Sequence, residues 1–188
     1  MHVVSRRKSR VVALTALYEV DLGGSTPEAA FEAAAEEFSI GGELAVYAER
    51  LVSGVVANRK RIDGELSALI TEYDFSRVAA VDRNVMRIGA YELMFEPAVP
   101  PAVTINEAIE IAKRFSTGES GRFVNGVLGR LLRDTEKANW DPDKAPPEFT
   151  EDDAEYEPEP EVEEITVDAD SDEGKKLARI GGWKLRNT

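Results

Sequence analysis

An all-α fold follows from three observations. Apolar residues recur at spacings of three and four through almost all of the first 138 residues, no stretch sustains the alternation of a strand, and the breaks are glycine pairs and prolines of the kind that stop helices. The connections are short. Seven helices packed as a compact bundle are the expectation.

The elements can be justified in order. A first helix over Ser5 to Leu22 puts Val11, Leu14, Leu17 and Tyr18 on one face and stops at Gly23-Gly24, which tolerate a left-handed turn. Thr26-Pro27-Glu28 opens a second: threonine caps, proline suits the first helical position, and the glutamate lies at the positive end of the dipole. It runs to about Phe38, with Gly41-Gly42 closing it. A third starts at Glu43 and carries Leu44, Tyr47, Leu51 and Val55, with Gly54 marking a place where a neighbouring backbone comes close. Ile62, Leu66, Leu69 and Tyr73 make a fourth. Ser76 caps a fifth, striped by Val81, Val85, Ile88 and Tyr91 and ended by Pro97, Pro100 and Pro101. Thr104-Ile-Asn-Glu107 has the form of a capping box for a sixth, with Ile105, Ala108, Ile109 and Ala112 on its buried face. The last spans Gly121 to Lys137 and buries Val124, Val127, Leu128, Leu131 and Leu132. Gly126 and Gly129 inside it cost about 1 kcal/mol each relative to alanine, which points to close packing.

Composition then removes whole classes of chemistry. The 188 residues include no cysteine and one histidine, His2, so disulfides, thiol nucleophiles, thiolate or multi-histidine metal sites and a Ser/His/Asp triad are out of reach. The carboxylate pairs Glu107 with Glu110 and Asp82 with Glu119 do not stand out from surface acids, and no nucleophile has a base at a diagnostic spacing. No catalytic residue, metal or cofactor is expected. There is no run of eighteen apolar residues and no charged-then-apolar leader, which places the protein in the cytosol, away from membranes.

The formal charge of −13 argues against nucleic acid until the chain is divided. Residues 1–138 hold 17 basic and 20 acidic side chains, whereas 139–188 hold 6 and 16. Two units result: a helical domain over 1–138 and an acidic tail over 139–188. The run from Pro146 to Glu164 has no basic residue and too little aliphatic mass to offset an ordering cost of roughly 1 to 2 kcal/mol per residue, so disorder is expected there. Residues 174–186 turn basic and apolar again and suit a short helix.

Two basic groups stand out. Arg6-Arg7-Lys8-Ser9-Arg10 puts four cations against the helix dipole, which disfavours each by about 0.3 to 1 kcal/mol. Helix stability does not account for them. An arginine-rich element that orders on RNA does, and a merely solvated terminus does equally well. Lys113, Arg114, Arg122, Arg130 and Arg133 form the second group, around the loop Ser116-Thr-Gly-Glu-Ser-Gly121. That loop can offer backbone N–H groups to an anion, but its spacing is not that of a P-loop. Phe123 falls at the edge of the buried face, placed either to stack on a base or to close the core rim.

Taken together these motifs resemble the NusB family of bacterial transcription antitermination factors. The blocks that carry the resemblance are Arg6-Arg7-Lys8-Ser9-Arg10, Ala16-Leu-Tyr18, Val85-Met-Arg-Ile-Gly-Ala-Tyr-Glu-Leu93, Val103-Thr-Ile-Asn-Glu-Ala-Ile-Glu-Ile-Ala-Lys113 and Arg122-Phe-Val-Asn-Gly-Val-Leu128. They cover roughly Ser5 to Leu132 and leave the acidic extension outside. The resemblance implies two small helical bundles packed together, no enzymatic activity, and binding of a single-stranded boxA element in ribosomal RNA leaders. The implied partners are a small-subunit ribosomal protein, NusE, and through it the RNA polymerase antitermination complex; some members also form homodimers. Carried over by position, Arg6, Arg7, Lys8 and Arg10 match the family's RNA-binding segment, and Glu119, Ser120, Gly121, Arg122 and Phe123 the loop that meets RNA. Glu119 and Phe123 also lie near the partner, and Tyr18, Leu22 and Asp82 match the ribosomal-protein interface, with Asp82 standing where a longer glutamate is often found. Two rivals are a domain attached to a ribosomal RNA cytosine methyltransferase, against which the missing cysteine counts, and a helical module that binds only proteins.

Overall fold

The computed structural model describes residues 6–144; the acidic run from Pro146 to Glu164 and the segment 174–186 lie outside the described residues. Among the described residues there are six α-helices and no strand: α1 (Arg6–Asp21), α2 (Pro27–Glu37), α3 (Gly42–Leu69), α4 (Ala80–Phe95), α5 (Pro101–Phe115) and α6 (Ser120–Arg133). Short 3-10 turns at Phe75–Arg77, Glu136–Asn139 and Pro142–Lys144 complete the path. Helices α1, α2 and the start of α3 pack together, α4, α5 and α6 do likewise, and α3 and α4 join the two groups.

The local signals at α1 and α2 act as their chemistry requires. Gly23 takes the left-handed turn after α1 at φ 74°. Thr26 accepts a hydrogen bond from the Ala29 N–H, and Pro27 begins α2. The turn after α2 belongs to Ser39, at φ 49°, whereas Gly42 at φ 59° already starts the next helix.

The two helices expected between Glu43 and Tyr73 are one helix of 28 residues, which makes the total six. Nothing between Val55 and Ile62 can stop it: there is no proline or glycine pair, Asn58 Nδ2 bonds back to the Gly54 carbonyl, and Arg59 pairs with Asp63 one turn on. Tyr73 consequently lies beyond the helix. Gly54 does mark a close approach, but of a side chain: a Cβ there would fall 2.2 Å from the Tyr91 ring, so glycine lets α3 and α4 meet.

Three other expected ends are displaced. Ser76 sits in a 3-10 turn, and α4 begins at Ala80 with no side-chain cap. Thr104 is inside α5, which starts at Pro101; its hydroxyl is buried and has no hydrogen-bond partner among the described residues. Proline at the first helical position decided that start. Its helix buries Thr104, Ala108, Ile111 and Ala112, leaving Ile105 and Ile109 half-buried. Helix α6 ends at Arg133 because the chain must turn to bring Lys137 inward, where its ammonium donates to the Glu92 and Val99 carbonyls at 2.8 and 2.6 Å. Gly126 and Gly129 are not packing glycines: nothing lies within 4 Å of a Cβ at either position.

Candidate nucleic-acid interface

The four cations at the start of α1 divide by helical phase. Successive residues point about 100° apart, so the run cannot face one way. Arg10 turns inward, 3% exposed, and its guanidinium reaches both Glu92 carboxylate oxygens at 2.7 and 3.3 Å. Tyr47 donates to the same carboxylate. Burial works against the Arg10 charge, but Glu92, Tyr47 and Glu107 outweigh it and hold the pKa raised. Arg7 forms a two-pronged pair with Glu107 on α5, both bonds 2.8 Å. Arg6 lies 5.0 Å over the Tyr47 ring, and Lys8 is half-buried beside it in sequence.

From Glu107, α5 carries the surface onward. Glu110 and Lys113 pair at 2.7 Å, Arg114 is exposed one residue later, and Glu107 to Lys113 spans six residues, about 9 Å of helix. The helix then gives way to the loop Ser116–Glu119. Glu107 and Glu110, the carboxylates weighed for acid–base work, are thus each held by a cation.

The loop is anchored to the first turn of α4. Ser120, buried, donates to Asp82 Oδ2 at 2.9 Å, and the Ser116 and Thr117 hydroxyls lie 3.0 and 2.9 Å from the same Ser120 oxygen. Asp82 is itself buried, and its Oδ1 has no hydrogen-bond partner among the described residues. Gly121 is buried too: a Cβ would come 2.9 Å from Lys113 Cγ, so the missing side chain lets α6 rest on the lysine stem. Gly118, with open space around it, is where another molecule's backbone can approach the loop. Glu119 and Arg122 are exposed. Phe123 is half-buried, and its ring stacks on Tyr73 with centroids 6.1 Å apart and planes 30° apart. Four residues from Leu69, Tyr73 has the spacing of a helix stripe; only the fold brings it to Phe123.

The same turn of α4 ties in the far end of α1. Asp21 Oδ2 receives Arg83, Asn84 and Arg87 at 3.1, 3.1 and 2.7 Å, and Arg59 of α3 takes Oδ1. Burial alone would raise the Asp21 pKa, but Arg87, Arg83 and Arg59 reverse this and hold it lowered. Next to this cluster are half-buried Tyr18 and exposed Leu22, the latter 63% accessible. Asp21 bonds residues 83, 84 and 87 while Ser120 bonds residue 82, so the Tyr18–Leu22 end and the Ser116–Phe123 loop meet at one turn.

A strip of arginine, lysine and stacked aromatics is laid over three helices, with a small polar loop beside it, and the class the fold defines is an all-helical protein of two packed helix groups. The NusB family model matches residues 7–133. The transcription antitermination protein NusB of Heliobacterium modesticaldum is 43% identical over 135 residues, covering 72% of this chain and 66% of that protein, just under two thirds of its length. Among solved structures, T. maritima NusB superposes with a TM-score of 0.67 at 35% identity, over 72% of this chain and 96% of that one. A chain in a crystal structure of the antitermination factors NusB and NusE in complex with dsRNA gives a TM-score of 0.64 at 29% identity, over 69% and 96%. The chain belongs to the NusB family, and with it to a family of non-catalytic factors. No helix among the described residues is long and apolar enough to cross a membrane.

Proposed function

We propose that the protein is a cytoplasmic transcription antitermination factor that binds boxA-type single-stranded RNA of ribosomal leaders together with the small-subunit ribosomal protein NusE. The observation that carries this reading is the Tyr73–Phe123 stack beside exposed Arg122 and the Gly118 opening, joined along α5 to the cations of α1. Such a surface suits a single strand: bases stack on the aromatic faces, and Arg6, Lys8 and Arg122 meet phosphates, whereas Arg7 is held by Glu107. Within the basic run Arg10 has a different part. It holds Glu92 and thereby fixes the helix that presents Arg6 and Lys8. At the loop, Ser120 and Gly121 shape the backbone with Asp82 of α4 as anchor, Glu119 and Arg122 face outward, and Phe123 is half-buried against Tyr73.

The ribosomal protein sits on Tyr18 and Leu22, with Glu119 and Phe123 contributing from the loop and the start of α6, and Asp82 acting from the first turn of α4 through its hold on Ser120. One turn of α4 braces both regions, so a partner there steadies the loop that RNA meets. Binding of RNA by the protein alone is therefore weak and tightens with the partner. Support for the pairing comes from the solved complex of the antitermination factors NusB and NusE with dsRNA, one chain of which this chain resembles in fold. Anisotropy titration of the full chain with boxA-type and scrambled RNA, with and without the ribosomal protein, tests the reading. Preference for the boxA sequence in the ternary mixture is expected, and equal binding of both sequences there overturns it.

A further inference from the structure

The last described residues lie at the C-terminal end of α4, and the chain beyond them is strongly acidic. Trp140 Nε1 donates to the Pro97 carbonyl at 3.0 Å and Lys137 holds the Glu92 and Val99 carbonyls, so the path after α6 closes over the C-terminal end of α4. That end is also where the arginines gather. Glu92 holds Arg10, Glu96 pairs with Arg50 at 3.1 Å, and Arg6 and Arg50 lie 5.0 and 5.3 Å from the centre of the Tyr47 ring. The Arg50 side chain is 41% exposed, and Arg6 and Lys8 are partly exposed.

From Ala145 to Glu173 the sequence has 14 acidic residues and no basic one, ten of the acids falling between Glu148 and Glu164. Those ten begin four residues past Lys144 and end twenty past it. A chain of that length has a root-mean-square reach of about 11 to 25 Å, and near 70 Å at full stretch. Lys144 and Glu96 line one hollow and Glu96 holds Arg50, so the cations around Tyr47 are within that reach, and so short a tether gives an effective concentration on the order of millimolar.

We propose that the acidic run Glu148–Glu164 folds back within the same chain onto the Arg6–Lys8–Arg50 face and competes there with RNA. Its carboxylates stand in for phosphates: repeated negative charge on an extended backbone, with Pro146, Pro147, Pro158 and Pro160 disfavouring helix. The competition rests on the RNA-binding reading above, whereas the docking itself does not.

The absence of cysteine makes a direct test clean, because Thr150→Cys in the full chain gives one labelling position for a nitroxide. Expected is broadening of the backbone amide signals of residues 6–10 and 47–50 at about 20 mM salt, lost at about 500 mM, where screening is nearly complete beyond a few ångström. The broadening should persist when labelled protein is diluted into unlabelled protein; appearing only between chains, it would assign the run to a second copy and overturn the proposal. No broadening at low salt overturns it outright. In a second measurement, the full chain with those ten carboxylates changed to amides binds a single-stranded RNA about tenfold tighter than the parent at about 50 mM salt, with the gap closing by about 300 mM. Equal affinity at low salt overturns competition. Failure of both chains to bind any RNA sinks the RNA-binding reading separately, leaving broadening to decide docking.

Discussion

The N-terminal turn of α1 and the loop leading into α6 are the two ends of one surface, and they are built in opposite ways. The first is rich in charge, yet much of it is engaged within the fold: Arg10 on Glu92, Arg7 on Glu107, Arg6 over Tyr47. The second has a single arginine in its exposed turn but a pair of stacked rings, an open glycine and a serine locked to Asp82. A basic run therefore overstates what a ligand can reach, and a bland polar loop understates it. Charge density gives attraction from a distance, while ring faces and open backbone give contact.

The comparison is broken most sharply inside the basic run. Arg10→Ala leaves the Glu92 carboxylate buried without its cation, which costs about 3 to 5 kcal/mol. Arg6→Ala, one turn earlier on nearly the same face but at the exposed start of the helix, should change stability by less than about 1 kcal/mol. Urea unfolding of the two variants distinguishes them, and similar midpoints would mean that Arg10 is not structural. At the other end, Phe123→Ala removes a stacking face, with an expected loss of about 1 to 3 kcal/mol in RNA affinity, or roughly 5- to 150-fold, by anisotropy. Tyr73→Ala should follow it in the same direction. If only Arg6 and Lys8 variants lose affinity, the rings belong to the core rim.

A smaller effect concerns pH. Burial lowers the Lys137 pKa to about 8, against the opposing pull of Glu92 and Glu96. Below pH 8 the lysine is charged in folded and unfolded chains alike and the full cost of burying it is present. Between about pH 8 and the unfolded value near 10.5 the folded form loses the proton first, so stability gains on the order of 1 to 2 kcal/mol after solvent screening is allowed for. The neutral amine still has two hydrogens for its two carbonyls. Thermal melts across that range should show the gain in the parent and none in Lys137→Met. Gly126→Ala, mid-helix with open space around it, should raise stability by about 0.5 to 1 kcal/mol. Least of all, Arg122→Ala should flatten the salt dependence of RNA binding by a slope of about 0.7.

What the sequence revealed and what it hid separate by range. Caps and stops that act within four residues were legible: Thr26 with Pro27, and Gly23 after α1. Stripes at helical spacing placed Val85, Ile88, Val124, Val127 and Leu128 in the core, where they are. Failures arose where two local signals competed, as when Pro101 overrode the Thr104 box, or where a stop was inferred without a stopping residue, as in the middle of α3. Pairings over long separations left almost no trace. Arg10 and Glu92 are 82 residues apart, and the hint was a glutamate inside the otherwise apolar stripe of α4. Tyr73 gave none, since only the end of α3 turns it from a stripe residue into the ring under Phe123.

Ultraviolet cross-linking of single-stranded boxA-type RNA to the full chain in the presence of the ribosomal protein, with the attached residues mapped by mass spectrometry, tests the central claim most directly. Cross-links at Phe123 and Tyr73, with others in the Arg6–Lys8 turn, are the predicted result. Cross-links confined to the acidic outer face of α2, or to α3 between Lys60 and Glu65, would contradict it.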